Sequence, residues 1–182
     1  MSALVERAIG QAGLDEVARA RRAGPLSGEH LARLRAADLL VLGALADRVR
    51  ADEVGDEVRI FTGESAADDD GVTVLPADGP APTGLDLLRQ VALARLSLPR
   101  GARIRIEWTR CGLELAQIAL GFGASELAGR ISDKRGLPLA EDDVLGVGKK
   151  SRLVSAEAFK RRELEGLVRR AGRTPSFAQE NQ

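Results

Sequence analysis

Residues 83–131 constrain the fold most, because they alternate twice between helical and strand periodicity. A Thr-x-x-Asp sequence at Thr83 is typical of a helix start, and leucines then recur at helical spacing up to a Pro-Arg-Gly stop. Residues 102–108 alternate apolar and charged side chains, which predicts a strand. Residues 113–122 are apolar nearly all round and predict a buried helix capped at Gly123. This rhythm predicts an α/β fold with a mostly parallel sheet.

Helical patterns flank this stretch on both sides. Residues 1–52 contain four candidate helices, of which the first two divide near Gly13 and the third can be capped by Ser27. A short turn and a strand over 57–62 follow. Near the other end, an amphipathic pattern predicts a helix capped by Ser155.

The composition excludes several classes of protein. Lysine plus arginine equals aspartate plus glutamate at 27 each, so there is no electrostatic case for a nucleic-acid or membrane partner. No signal pattern or membrane-spanning apolar run is visible, which predicts a cytoplasmic protein. The single cysteine, Cys111, excludes an internal disulfide. Aromatic residues are scarce, so we expect Trp108 and Phe122 to be buried where the 102–108 strand meets the next helix.

The central stretch also carries a motif in three parts. It reads L-R-x-x-A-x-A-R-L-x-L, then I-x-x-x-W, then G-L-x-L-A-Q-x-A-L-x-F-G-A. The residues that carry it are Leu88, Arg89, Ala92, Ala94, Arg95, Leu96, Leu98, Ile104, Trp108, Gly112, Leu113, Leu115, Ala116, Gln117, Ala119, Leu120, Phe122, Gly123 and Ala124. This pattern resembles the C-terminal part of a group of radical-SAM enzymes: aminofutalosine synthase, dehypoxanthine futalosine cyclase and the deazaflavin FO synthase. Residues 19–62 resemble the start of the same enzymes more weakly, and residues 171–175 resemble the sequence at their C-terminal end.

The resemblance does not extend to the cofactor site of these enzymes. It implies a C-x-x-x-C-x-x-C motif after the first strand, whose thiolates would hold a [4Fe–4S] cluster that binds SAM. The corresponding residues 62–71 contain no cysteine, and one thiol at Cys111 cannot hold a cluster. We therefore expect no cofactor and no radical-SAM activity, and we favour a protein that is not an enzyme.

The resemblance implies a partial, half TIM-type barrel of about four strands with flanking N-terminal and C-terminal helices. A complete (βα)8 barrel takes roughly 250 residues, more than this chain provides. The retained strands would be the first (57–62), the sixth (72–76), the seventh (102–107) and the eighth (near 127–131). The connection at 63–71 is short for a parallel crossover, so a hairpin between the first two of these strands is an equal alternative.

We expect residues 1–182 to form a single domain. Its parts would be a helical segment (1–52), the partial barrel (53–131), a flexible connector (132–154) and a C-terminal helix with its tail (155–182).

Candidate functional residues lie at the end of the seventh strand. Barrel enzymes place their active sites at the C-terminal ends of strands, which favours a residual ligand pocket there. Its residues would be Glu107, Trp108, Thr109, Arg110 and Cys111. The alternative for Cys111 is a packed thiol without function. We expect no metal site, because the acidic run at 68–70 fails the spacing of a calcium loop. We also expect no nucleotide site at 146–151, because that sequence fails the spacing of a phosphate-binding loop.

These observations favour a catalytically degenerate radical-SAM-like protein with a binding, accessory or regulatory role, linked through the resemblance to menaquinone biosynthesis. The alternative is a small-molecule binder, or an enzyme with non-radical chemistry, at the strand end near Glu107. We expect a homodimer or a complex with another protein, such as an intact radical-SAM homologue. The reason is that missing strands would leave Ile104, Ile106 and Val74 or Leu75 exposed on the barrel-facing side of the sheet.

Overall fold

The computed structural model describes residues 3–62, 71–74, 83–129 and 149–178, with the backbone alone for 149–159. The helices in these ranges are α1 (Ala3–Gln11), α2 (Asp15–Ala23), α3 (Gly28–Ala36), α4 (Leu39–Val54), α5 (Gly84–Ser97), α6 (Trp108–Cys111), α7 (Leu113–Leu120) and α8 (Lys149–Arg170). The strands are β1 (Glu57–Phe61), β2 (Val72–Thr73), β3 (Ile104–Glu107), β4 (Glu126–Ala128) and β5 (Thr174–Phe177). None of the described helices is both long and apolar enough to cross a membrane.

The strands form one parallel sheet in the order β2-β3-β4-β1-β5. β1 and β2 are separated by β4 and β3, so the hairpin between 57–62 and 72–76 is wrong and the parallel crossover is the correct alternative. The four predicted strands are all present, and the pairing of the eighth with the first is confirmed as β4 with β1. The fifth strand, β5, was not predicted. The fold is α/β and consistent with part of a TIM-type barrel.

The helix starts follow the predicted capping residues. The Thr83 hydroxyl accepts a hydrogen bond from the Asp86 amide and donates one to its carboxylate, which fixes the first turn of α5. The Ser27 hydroxyl accepts from the His30 amide at the start of α3. The His30 ring in turn accepts from the Ser27 amide and completes a capping box. α7 ends at Leu120, earlier than the predicted stop at Gly123.

The two faces of the sheet differ in chemistry. Residues that alternate along the three central strands point to one face and join the core formed with the helices; they are Val58, Ile60, Ile104, Ile106 and Leu127. The predicted exposure of Ile104 and Ile106 is therefore wrong, because both are completely buried on this apolar face. Val74 is half-buried against the same core, and Leu75 lies outside the described residues. The opposite face carries Arg59, Arg105 and Glu126.

A buried arginine anchors the apolar layer at the amino ends of β3 and β4. Arg95 of α5 donates to the carbonyls of Gly123 and Ala102 at 2.9 and 2.6 Å, and to the Ser125 hydroxyl at 3.3 Å. The Ser125 hydroxyl also accepts from the Ile104 amide. Burial lowers the pKa of Arg95 to about 10, so the side chain remains charged at neutral pH. The arginine therefore satisfies three polar groups that the fold removes from water.

The C-terminal part differs from the predicted pattern. Ser155 does not cap a helix, because α8 begins at Lys149 and runs through it. α8 is followed by Gly172 at φ +72°, a left-handed conformation that glycine adopts readily, and the chain then enters β5. The acidic run at 68–70 and most of the 132–154 connector lie outside the described residues, as does the start of the 146–151 sequence.

Candidate functional site

The parallel arrangement brings the carboxyl ends of all five strands to one edge of the sheet, hereafter the carboxyl edge. Phe61, Glu107 and Ala128 are the last residues of the three central strands and lie next to one another in register. In barrel enzymes this edge carries the active site. The residues predicted from the sequence lie here, on the end of β3 and on the short helix α6 that follows it.

The structure brings Glu107 and Cys111 together. The Cys111 thiol donates to the Glu107 carbonyl at 3.4 Å, and the side chain is half-buried. Burial raises the pKa of the Cys111 thiol, and this effect exceeds the lowering by a backbone hydrogen bond and by the Arg110 guanidinium. In the described part of the chain, the Glu107 carboxylate has no hydrogen-bond or ion-pair partner. The contact that joins the pair is thus between the thiol and the backbone of Glu107, and the Glu107 carboxylate takes no part in it.

The other predicted site residues divide between the core and the surface. Trp108 is buried as predicted, with 6% of its surface exposed, and its indole ring lies against the backbone of Gly129. A β-carbon at position 129 would overlap the ring, so glycine allows this close packing. Thr109 and Arg110 are exposed on α6. Trp108 is therefore a packing residue at this edge.

Sequence reasoning missed a charged cluster on the face opposite the helices. The Glu126 carboxylate is completely buried and accepts from Nε of Arg59 at 2.8 Å and from Nε of Arg105 at 3.0 Å. The second arginine also lies 2.8 Å from Glu126 through Nη2, and its guanidinium stacks over the Phe61 ring at 4.3 Å. The backbone of Gly71 passes so close that a β-carbon there would overlap the Glu126 carboxylate.

This cluster cross-links three adjacent strands. The cluster residues pair in register, Arg59 and Arg105 each opposite Glu126. Both carboxylate oxygens accept from guanidinium groups, so Glu126 has no oxygen available to act as a general base. The alternation of apolar and charged residues in β1 and β3 was visible in the sequence. Only the register shows that their charges converge on Glu126.

Metal binding has no support in the described ranges, since no three His, Cys, Asp or Glu side chains there are grouped to hold an ion. The single cysteine of the 182 residues likewise cannot supply the three thiolates of a radical-SAM cluster.

The fold and its carboxyl edge define a parallel α/β protein. Comparison with known proteins shows which of them this chain is similar to. No protein-family model matches the chain. It is 32% identical over 94 residues to 5-amino-6-(D-ribitylamino)uracil--L-tyrosine 4-hydroxyphenyl transferase of Archaeoglobus fulgidus. It is 31% identical over 93 residues to aminodeoxyfutalosine synthase of Thermus thermophilus, and 33% over 94 residues to cyclic dehypoxanthine futalosine synthase of Streptomyces coelicolor.

About half of this chain is thus a relative of the futalosine/FO-type radical-SAM enzymes. The matched segments cover 51–52% of this chain but 24%, 22% and 20% of these three relatives. The resemblance read from the sequence pattern is confirmed to this extent.

Proposed function

We propose that this chain is a catalytically degenerate relative of these enzymes that acts as an accessory protein through protein contacts. The observation that carries the proposal is the combination of shared sequence over half the chain with a single cysteine in all 182 residues. The relatedness links the chain to the futalosine pathway of menaquinone biosynthesis. An intact radical-SAM homologue is the partner that this relationship favours.

The buried cluster around Glu126 supports a role without catalysis. Two arginines occupy this carboxylate on the face that would line a barrel. Breaking such a buried pair costs several kcal/mol, about 3–5, so the cluster holds the strands together and is not available for substrate.

Two exposed leucines mark the surface that we propose for the partner. Leu40 and Leu85 are 73% and 67% exposed in the first turns of α4 and α5, and these two helices pack against each other. Large exposed apolar side chains on neighbouring elements favour a protein interface. Leu4 on α1 is equally exposed at 73% and provides a control matched in residue type and exposure.

The binding experiment uses the full chain and a purified intact homologue from the same source. Sedimentation velocity and calorimetry should show a complex that the double substitution Leu40→Ser with Leu85→Ser weakens at least ten-fold, while Leu4→Ser leaves it unchanged. The mixture must also change the turnover of the homologue. Failure to form any complex would remove the accessory role. A second copy of the chain is the alternative partner, and sedimentation of the chain alone tests for that complex.

The cofactor experiment is anaerobic reconstitution with iron and sulfide. The chain should acquire no stoichiometric visible absorbance of a [4Fe–4S] centre, because one thiolate cannot replace three. A cluster that persists in Cys111→Ala would contradict the degenerate assignment.

The second candidate function is binding or non-radical chemistry on a small molecule at the carboxyl edge. It is favoured by the Glu107 carboxylate, to which the described residues offer no hydrogen-bond or ion-pair partner, at the strand end where Cys111 also lies. A thermal-shift screen of small metabolites tests it. A ligand whose stabilisation disappears in Glu107→Gln but persists in Glu165→Gln would support this alternative over the accessory role.

A further inference from the structure

The strand β5 differs from the central strands in how it is held. None of its four residues is buried, whereas all three residues of β4 and three of the four in β3 are. Its attachment to β1 consists mainly of backbone hydrogen bonds, including Thr174 N–H to Asp56 at 3.0 Å and Ala178 N–H to Ile60 at 2.9 Å. Segments with little buried apolar surface open at a lower free energy than the core.

A polar latch fixes the start of this strand. The Arg173 guanidinium pairs with the Asp47 carboxylate of α4 and lies 4.0 Å from Asp56. Arg50 of α4 also donates to Asp47, at 2.9 Å, so this carboxylate serves two arginines. The Arg173 side chain is only 11% exposed, so this ion pair is largely sheltered from water.

The alternating direction of the backbone groups along β5 shows how this strand forms the edge of the sheet. Thr174 and Ala178 direct their amides to β1, so Ser176 between them does the same and Pro175 faces outward. Proline lacks an N–H, so its outward position removes a donor from the outer edge without loss of a bond to β1. Natural proteins use such edge prolines to prevent further strand addition.

Beneath β5, β1 presents the edge of a strand whose apolar side chains are buried. Val58 and Ile60 are completely buried, so this edge is rigidly positioned for an incoming parallel strand. The hinge that leads into β5 contains Gly172 in a left-handed conformation. A terminal strand on such a hinge can pair with an identical chain at little cost, because every contact is reproduced.

We propose that β5 is an exchangeable strap, which closes the β1 edge within its own chain and, when its Arg173 latch opens, pairs with β1 of a second copy. The occupant of the edge is therefore always residues 173–178, either from the same chain or from its partner copy. This inference concerns self-association alone and does not depend on the complex with a radical-SAM homologue.

The test is competition by a fluorescent peptide of residues 171–182 against the resident strap of the full chain. Arg173→Ala weakens only the resident strap, because Asp47 and Asp56 remain to receive the arginine of the peptide. The peptide should bind this variant at least ten-fold more tightly than the unsubstituted chain, since the apparent affinity rises with the fraction of open edges. Arg169→Ala on the exposed side of α8 is the matched control and should leave binding unchanged.

Two altered peptides define the binding mode. A Ser176→Pro peptide loses an inward N–H and should not bind, whereas a Pro175→Ala peptide changes only the outward side and should bind as the parent does. The strap proposal would be overturned if the two altered peptides bound equally. It would also be overturned if the parent peptide bound equally to the Arg173→Ala variant and to the unsubstituted chain.

Hydrogen exchange of the unsubstituted chain gives a measurement that needs no variant. The amides of Thr174, Ser176 and Ala178 should exchange at least ten-fold faster than that of Arg59, which bonds β1 to Ser125 before β4. Equal protection of the two groups would show that β5 opens only with the whole fold and would refute the proposal.

Discussion

Gly43 in the middle of α4 gives the most discriminating test of the core. An exposed helical glycine replaced by alanine usually stabilises a protein by about 0.5–1 kcal/mol. At this position a β-carbon would lie 2.5 Å from the ring of Phe122, closer than carbon atoms approach. The ring is 9% exposed and packed in the core, so it cannot move aside freely.

The expected magnitudes follow from two opposing effects. Overpacking of a core costs about 1–3 kcal/mol, which exceeds the helix gain. Gly43→Ala should therefore lower the free energy of unfolding by about 0.5–2 kcal/mol. Phe122→Ala alone should lower it by about 3–5 kcal/mol, the range for a buried aromatic truncation. With the ring absent, Gly43→Ala fills part of the cavity and should become stabilising by about 0.5–1 kcal/mol.

The assay is urea unfolding followed by the fluorescence of Trp108, the one tryptophan of the chain. Gly166→Ala in α8 is the control, because its nearest neighbour is the end of Arg170 at 3.4 Å; this substitution should stabilise both backgrounds slightly. The reasoning is refuted if Gly43→Ala stabilises the parent protein, or if its effect has the same sign with and without Phe122.

Two further predictions concern buried polar groups. Glu126→Leu should lower the free energy of unfolding by about 3–5 kcal/mol, because it removes the carboxylate from the Arg105 guanidinium, which is 3% exposed. In urea unfolding, the control Glu165→Leu, which removes an exposed pair on α8, should cost at most about 0.5 kcal/mol; equal costs would show that the cluster is not structural. The raised pKa of Cys111 predicts that iodoacetamide alkylation, followed by mass spectrometry, has a higher pH midpoint in the folded protein than in the urea-unfolded chain. The fold favours the neutral thiol, so its contribution to stability is present below the unfolded pKa and is lost as the pH rises through the folded value; a midpoint that does not change on unfolding would contradict the burial.

Local sequence signals predicted the parts of the fold that local chemistry determines. Thr83 and Ser27 cap their helices as expected, because a hydroxyl three residues before an amide satisfies it wherever the helix lies. The strand at Ile104–Glu107 and the burial of Trp108 also follow from the predicted pattern. These features depend on residues close together in sequence.

Features that depend on distant pairing were missed. The four residues of β5 include Pro175, a residue type that is depleted in strands; they form a strand because the edge of β1 is available to them. Likewise, alternation in 102–108 indicates two faces of the strand but not which face the helices cover. Assigning Ile104 and Ile106 to the barrel-facing side was wrong for this reason, and the meeting of Arg105 with Glu126 could not be derived without the register.

The corrected assignment of faces changes the argument for association. A bare apolar sheet face would have driven dimerisation by burial of large hydrophobic area, but Ile104 and Ile106 are completely buried against the helices. Self-association through the sheet would then depend on the strand edges, and the β2 edge is only two residues long in the described part of the chain. The edge of β1 is longer and is closed by β5 through backbone bonds and the Arg173 latch. In the strap proposal, two copies pair through the sheet only after this strap opens, so the lifetime of the latch would set the rate at which copies exchange.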